Sequence, residues 1–332
     1  MQKASDTRSP KDNKILIVCG PTASGKTDLA VSLAKKFDGE LVNADSRQMY
    51  QGMDVLSGKD IPPGEKPILH KDMSVKGATL SLCSYTISGI PIWLYDVAPV
   101  STPLSISHFQ AAATRVISDI HARGKLPIVV SGNGFYLSSL VREIPTISVP
   151  QNKDVRLSLE GKTVKELADV LASVDPDRWN AMNNSDKHNP RRLIRAIEVA
   201  EWKSGRGMEG DPVQRFDACW IGLRTAQSML KERIASRVRA RFEGGAVEEV
   251  KHTGEVASFL PANSTLGLST LRAYIRNELN AEEAQRVWAL EEIQYAKRQM
   301  VWFARNTDIQ WFDREQPDFP MAVEKLVHEW YT

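Results

Sequence analysis

With 332 residues, 42% of them hydrophobic and 25% charged, and a net charge of +2, the chain has the composition of a soluble globular protein of one or two domains. Its apolar runs are too short to span a membrane. Residues 1–13 lack the apolar segment of a secretory signal, and we expect them to form a disordered tail. The three cysteines form no CxxC pair, which argues against a disulfide framework or a structural zinc site and favours a cytoplasmic protein.

Strands and helices alternate in the first part of the chain. Residues 14–19 form a short apolar run rich in β-branched side chains, typical of a buried parallel strand, and a Gly-rich turn and a helical pattern over 28–37 follow. This alternation predicts an α/β fold built on a doubly wound parallel sheet. Further elements follow in order: a strand at 40–43, loops or a hairpin at 61–88, a strand at 92–95, a helix at 107–123 and a strand at 126–130.

After residue 143 the pattern becomes helical. Only helical signals occur between 154 and 205, strand character returns at 219–223, and helices then dominate up to a last short strand at 309–312. We therefore expect a core formed by 14–143 and 206–332, with a helical insertion at 144–205. From Lys187 to Arg305, 20 Lys and Arg stand against 15 Asp and Glu. This basic bias suits phosphate binding and a solvated mixed-charge surface about equally.

A phosphate-binding loop is the most specific motif. Residues 20–27 fit G-x-x-x-x-G-K-[ST] between a predicted strand and a predicted helix. The glycines permit backbone angles that turn amide N–H groups toward one anion, and the helix adds its positive N-terminal end. Lys26 supplies a positive charge, and the Thr27 hydroxyl suits a Mg²⁺ ligand. The pattern predicts polyphosphate binding by Gly20, Pro21, Thr22, Ala23, Ser24, Gly25, Lys26 and Thr27.

Asp45 follows the second predicted strand. A carboxylate at the C-terminal end of a parallel strand, beside the phosphate loop, lies where such folds bind ligands. Asp45 is therefore a candidate general base or magnesium ligand. The alternative is a helix cap, with Gln48 three residues further on.

Taken together, several segments resemble bacterial tRNA dimethylallyltransferases. The match runs in order from about Lys14 to Asp313. It implies a P-loop core with a helical insertion, in which the loop holds the diphosphate of dimethylallyl diphosphate instead of ATP. It also implies transfer of the prenyl group to the exocyclic amine of an adenine next to the tRNA anticodon. The segments that carry the resemblance are Gly20–Thr27, Asp45–Tyr50 with Gly52–Asp54, Arg191–Val199 and Lys297–Phe303.

The resemblance also implies roles for single residues. Asp45 is the base for an adenine flipped out of its loop, and Lys26 neutralises the leaving diphosphate together with Mg²⁺ on Thr27. Asn133 is a catalytic contact, in a turn that usually reads Gly-Gly-Thr-Gly in the family. From the residues alone, the basic side chains also fit a solvated helix face. The tRNA contacts so implied are Asp45, Ser46, Arg47, Gln48, Arg156, Arg191, Arg192, Arg195, Lys297, Arg298 and Gln299.

One position departs from the family. Ser269 stands where the family usually has an arginine that helps stabilise the diphosphate, and Arg272, one helical turn on, is a candidate substitute. The basic face of Arg233, Arg237 and Arg241 matches no motif. Two alternatives stay open, a P-loop small-molecule kinase and a catalytically impaired homologue that only binds tRNA. The expected partners are tRNA, through its anticodon stem-loop, and dimethylallyl diphosphate, with Mg²⁺ as cofactor. We expect a monomer without a membrane partner.

Overall fold

The computed structural model describes residues 13–206, 215–254 and 260–332. The predicted N-terminal tail, 1–13, lies outside these residues except for Asn13. The described residues fall into two compact units. One takes in the chain up to Arg142 and again from Arg215 onward, and the other begins at Glu143 and is described as far as Arg206.

The first unit is built on one mixed sheet, whose eight strands in the described residues have the order β3-β4-β5-β2-β6-β1-β7-β8. All pairs from β5 to β8 in that order are parallel; Leu16 on β1, for example, pairs with Ile128 on β6 and Cys219 on β7. The strands are β1 (Lys14–Cys19), β2 (Gly39–Asn43), β3 (Ile68–Val75), β4 (Ala78–Ile87), β5 (Ile90–Trp93), β6 (Leu126–Ser131), β7 (Asp217–Arg224) and β8 (Ile309–Asp313).

Helices cover both faces of the sheet, as an α/β fold requires. In the first unit they are α1 (Lys26–Lys36), α2 (Asp54–Ser57), α3 (Ile106–Ala122), α4 (Gly134–Val141), α10 (Gln227–Arg241), α11 (Val247–Thr253), α12 (Leu268–Ile275), α13 (Ala281–Phe303) and α14 (Phe319–Tyr331). In the second unit they are α5 (Lys153–Ser158), α6 (Val164–Val174), α7 (Pro176–Ala181), α8 (Asn184–Lys187) and α9 (Pro190–Arg206).

The α/β prediction is confirmed, but the sheet is not wholly parallel. β3, β4 and β5 form an antiparallel meander. Only Lys76 and Gly77 separate β3 from β4, and only Ser88 and Gly89 separate β4 from β5. All four residues have positive φ, which is the geometry of a two-residue hairpin turn. Such short connections force antiparallel pairing, so the hairpin considered at 61–88 is present.

Side-chain alternation on the central strand divides the core in two. Ile15 and Ile17 of β1 belong to one buried cluster, and Leu16 and Val18 belong to the other. Helices α3, α10 and α13 contribute to the first cluster, and α1 and α14 to the second. Residues 15–19 of β1 are buried on both faces of the sheet, which explains why they form a continuous apolar run. The carboxyl end of β1 is thereby held rigidly where the Gly-rich loop begins.

The second unit has a small core of its own. The apolar faces of α6 and α9 meet through Leu167, Leu171, Leu193 and Ile197, all at most 1% exposed. Thr163 and Glu166 form a capping box that fixes the start of α6. In neither unit do the described residues include a helix that is both long and apolar enough to cross a lipid bilayer.

Candidate active site

The Gly-rich loop joins β1 to α1 and is tightly curled. Gly20 has φ 144°, Ala23 φ 60° and Gly25 φ 84°. A Cβ on Gly20 would approach the Leu223 carbonyl oxygen to 2.5 Å, and one on Gly25 would meet the Arg314 guanidinium at 1.7 Å. Both positions therefore require glycine. A left-handed alanine between them marks backbone strain of the kind found at ligand sites, so the loop has the form of an anion-binding nest.

Lys26, at the start of α1, lies in the same cavity as the loop. Its Nζ donates to the Pro21 carbonyl oxygen at 2.7 Å. Its pKa is lowered to about 8, first by desolvation in the cavity and then by the positive charge of Arg237, against the opposing effects of Asp60 and Asp45. An ammonium group so destabilised gains most from an added anion.

Thr27 and Asp60 form a pair of oxygen ligands suited to a hard divalent cation. The Thr27 hydroxyl donates to Asp60 Oδ2 at 2.6 Å. Mg²⁺ in phosphate sites typically takes one or two protein oxygens and completes its shell with phosphate and water oxygens. The predicted ligand Thr27 fits that chemistry, and Asp60 joins it. No motif spacing links Asp60 to the loop, so its place beside Thr27 could not be predicted from the sequence.

Asp45 lines this cavity, directly after β2. Its Oδ1 accepts from the Arg47 amide at 2.9 Å, while the Asp45 amide donates to Asn43 Oδ1 at 3.0 Å. Residues 46–49 form turns and no α-helix begins there, so the helix-cap alternative is wrong. The side chain instead closes an Asx turn. Its other oxygen, Oδ2, has no hydrogen-bond partner among the described residues and is free to accept one.

The residues after Asp45 are held by neighbouring loops. Arg47 donates to the hydroxyls of Ser46 (2.8 Å) and Ser264 (3.3 Å). Gln48 Nε2 donates to the Gly58 carbonyl oxygen at 2.9 Å. Arg47 and Gln48 line the cavity, whereas Ser46 does not.

Asn133 takes a different place from the one implied by the family. Its Oδ1 accepts from the Tyr136 amide at 3.4 Å and so caps α4. Its Nδ2 lies 3.5 Å from the Ser46 hydroxyl. Ser131 and Gly132 line the cavity, but Asn133 does not. A catalytic contact by Asn133 stays a prediction. In the structure, Asn133 is the N-cap residue of α4.

Helix α10 forms a basic wall of the cavity, whose volume is about 610 Å³. Arg233, Arg237 and Arg241, spaced four residues apart on one face, all line it. Their periodicity is visible in the sequence, but nothing there shows which ligand the face meets. Ser269 and Arg272 are not among the residues that line the cavity. The Arg272 guanidinium donates to Asn263 Oδ1 (3.0 Å) and the Gly254 carbonyl oxygen (2.9 Å), so it is engaged outside the cavity, whereas three arginines of α10 line the cavity.

Helix α13 packs against α10 and also lines the cavity, and its polar residues have separate roles. Gln299 is 5% exposed, and its Oε1 accepts from the Thr22 amide at 2.9 Å, so its polar group is used inside the fold. Lys297 and Arg298 are exposed, and Arg298 also lines the cavity. Gln299 therefore contacts the loop inside the fold, whereas Lys297 and Arg298 present their charge to solvent.

In the second unit, two of the predicted tRNA contacts are engaged internally. Arg156 donates to both carboxylate oxygens of Glu198, at 2.7 and 3.1 Å. Arg195 donates to Glu198 and to the carbonyl oxygens of Thr146 (2.8 Å) and Val149 (2.7 Å). Burial raises the pKa of Glu198, but the hydrogen bonds, chiefly from Arg156, outweigh it and leave that pKa below its usual range.

The neighbouring arginines of α9 are available to a ligand. Arg191 and Arg192 are exposed, and Arg192 pairs with Asp186. Within the described residues, no cluster of three or more His, Cys, Asp or Glu side chains could hold a metal. Thr27 and Asp60 remain the candidate ligands for a divalent cation.

Known proteins with similar sequence and structure fall in one group. A family model described as IPP transferase matches residues 48–306, and one described as isopentenyl transferase matches residues 13–65. The chain is 32% identical over 325 residues to the tRNA dimethylallyltransferase of Pediococcus pentosaceus, covering 96% of each chain. It is 34% identical over 314 residues to that of Corynebacterium jeikeium, covering 91% and 92%. The solved tRNA isopentenylpyrophosphate transferase of Bacillus halodurans superposes with a TM-score of 0.64 at 27% identity, covering 96% of each chain.

Proposed function

The chain belongs to the IPP transferase family, and from that premise we propose that it transfers a dimethylallyl group from dimethylallyl diphosphate to the exocyclic amine of an adenine next to the tRNA anticodon. The observation that carries the proposal is the joint placement of Lys26, Asp45 and Arg237 around one cavity of about 610 Å³. A phosphate loop, a basic wall and an accessible carboxylate in one place suit displacement of diphosphate by a nucleophile that loses a proton. The phosphate loop alone would also suit a kinase, but the similar proteins are tRNA dimethylallyltransferases and do not support that alternative.

The leaving group is stabilised by fixed positive charge. The loop amides, Lys26 and Arg237 bind the diphosphate, and they stabilise it more as the bond from the allylic carbon to its oxygen breaks and negative charge grows there. Mg²⁺ held by Thr27 and Asp60 supplies further charge neutralisation when bound. The positive charge that develops on the allylic group is delocalised over its double bond, so a weak nucleophile suffices.

Asp45 serves as the general base. The adenine amine forms the new bond to the allylic carbon, the electron pair of the broken bond leaves on diphosphate, and the amine proton passes to Asp45. Oδ2 is the oxygen for this step, because Oδ1 accepts from the Arg47 amide. The target base reaches it only when flipped out of its loop, and Arg47 and Gln48 then border the nucleotide.

Exposed cations bind the anticodon stem-loop. Lys297 and Arg298 on α13, and Arg191 and Arg192 on α9, present their charge to solvent and suit phosphate contacts. For Arg156, Arg195 and Gln299, the hydrogen bonds within the fold support a positioning role instead. We infer that the protein acts as a monomer, because one chain holds the loop, the base and the basic surfaces. We also infer that it is cytoplasmic, because its three cysteines are free thiols.

The test uses radiolabelled dimethylallyl diphosphate with bulk tRNA, AMP or no acceptor, and an ATP hydrolysis control. We expect label on tRNA alone and no stimulated ATP hydrolysis. Lys26→Ala should abolish transfer while the matched exposed change on the same helix, Lys35→Ala, should not. Label on AMP would reassign the acceptor, and phosphate release from ATP would favour the kinase. Tight tRNA binding with no transfer by the wild-type protein would leave only the impaired homologue.

A further inference from the structure

Arg241, the last residue of α10, is held firmly in the cavity wall. Its side chain is 13% exposed, and its Nη2 donates to Glu292 Oε1 at 2.6 Å. Nη1 donates to the Leu56 carbonyl oxygen at 3.3 Å, and the guanidinium carbon lies 4.7 Å from the centre of the Trp288 ring. Nε is buried and has no hydrogen-bond partner among the described residues. The group is fixed in orientation with donor capacity left over.

Glu292 connects this arginine to the phosphate loop. Its side chain is 7% exposed, and its Oε2 lies 3.4 Å from the Thr22 hydroxyl. The Thr22 amide is bound by Gln299 from the same helix, α13. Helix α13 thus holds the loop on one side and the Arg241 guanidinium on the other, so their separation is set by the fold.

Arg237 and Arg241 converge on one point. The position of a Cβ on Gly58 would lie 3.0 Å from Arg241 Nη1 and 3.2 Å from Arg237 Nη2. Two guanidinium groups so close, with the Lys26 ammonium in the same cavity, repel one another in a poorly solvated place. Glu292 offsets one of these charges, and Asp45 and Asp60 in the same cavity offset part of the rest. A ligand with two or more negative charges would relieve the rest.

We propose that Arg241 contacts the diphosphate of the donor, together with Arg237, and that Glu292 is the positioning residue that holds its guanidinium toward the loop. This inference rests on the proposed function, because it takes the cavity to be the diphosphate site. The proposed diphosphate site thereby gains Arg241, at the end of α10, a residue that matches no motif in the sequence.

The test is equilibrium binding of inorganic pyrophosphate with Mg²⁺, measured by calorimetry on the full chain. Arg241→Met should weaken binding by about 10- to 100-fold, the usual effect of losing a hydrogen bond to a charged group, and Arg241→Lys should recover part of it. The matched control is Arg239→Met, which removes an exposed arginine of the same helix and should leave affinity unchanged. Thermal unfolding confirms that each variant is folded.

The double variant Arg241→Met/Glu292→Gln separates contact from charge balance. If Arg241 binds the diphosphate, the double variant stays weak, whereas Glu292→Gln alone binds at least as tightly as the wild type. If Arg241 only neutralises Glu292, the double variant regains wild-type affinity and the inference is overturned. Lys26→Ala tests the site itself. If both Lys26→Ala and Arg241→Met bind pyrophosphate normally, the proposed function fails. If Lys26→Ala binds weakly and Arg241→Met binds normally, this inference alone fails.

Discussion

Helices α9 and α10 carry similar sets of arginines, and the fold uses them differently. On α10, Arg237 and Arg241 line the cavity of the phosphate loop. On α9, Arg195 donates to Glu198 and to two backbone carbonyl oxygens, whereas Arg191 and Arg192 are exposed. Helical periodicity places arginines on one face in both cases. Arg241 is also paired with a buried carboxylate, Glu292, so pairing alone does not decide the role. What distinguishes the arginines of α10 is that they line the cavity that contains the phosphate loop.

The largest effect on the reaction is expected from a substitution in the cavity. Asp45→Asn should lower the single-turnover rate of prenyl transfer by about 10²- to 10⁴-fold, because the amide cannot take the amine proton. Binding of tRNA should be unchanged, since the Asx turn at Arg47 can be kept by the amide oxygen. Rapid-quench measurements with saturating donor and tRNA provide the test. A near-normal rate would remove Asp45 from the chemistry.

A substitution that removes the carboxylate partner of the arginines in the second unit should instead lower the stability of the protein. Glu198→Ala should lower the free energy of unfolding by about 1.5–3 kcal/mol, because it deprives Arg156 and Arg195 of a buried acceptor. Since the folded pKa of Glu198 is lowered, its contribution is present above pH 4.5 and is lost as the pH falls further. Urea titrations against the exposed control Glu201→Ala measure both. Equal stability of the two variants would show that the Glu198 network is dispensable.

Donor binding in the cavity should also depend on pH. With a pKa of about 8, Lys26 loses its proton as the pH rises through that value. The KM for dimethylallyl diphosphate should therefore rise by up to about tenfold per pH unit above pH 8. Lys26→Arg stays charged and should flatten the profile. A wild-type KM constant to pH 9.5 would contradict the assigned role.

The smallest effect is expected at the exposed end of α9. Arg191→Ala should weaken tRNA binding a few-fold and reduce the salt slope of log affinity by about 1, as for one lost phosphate contact. Donor affinity should not change. Filter binding of tRNA between low and moderate salt would show it, and an unaltered slope would strike Arg191 from the tRNA contacts.

Much of the fold followed from local patterns. The motif from Gly20 to Thr27 predicted a strand, a turn and a helix, and these are β1, the curled loop and α1, because glycine positions and apolar runs act locally. The sequence predicted the antiparallel meander only in part, as a possible hairpin. The direction in which its strands run depends on two-residue turns such as Lys76-Gly77. Asp60 and Glu292 were missed for another reason: tertiary packing alone brings them to the loop, and no spacing along the chain records it.

On this view the arginines of α10 bind the donor, whereas Arg195 of α9 stabilises the fold. The most direct measurement is pyrophosphate binding, with Mg²⁺, to Arg237→Met and to Arg195→Met. We predict that Arg237→Met loses affinity by at least about tenfold and keeps its stability, whereas Arg195→Met binds pyrophosphate normally and unfolds more easily. Normal binding by Arg237→Met, or an equal loss in both variants, would contradict the claim.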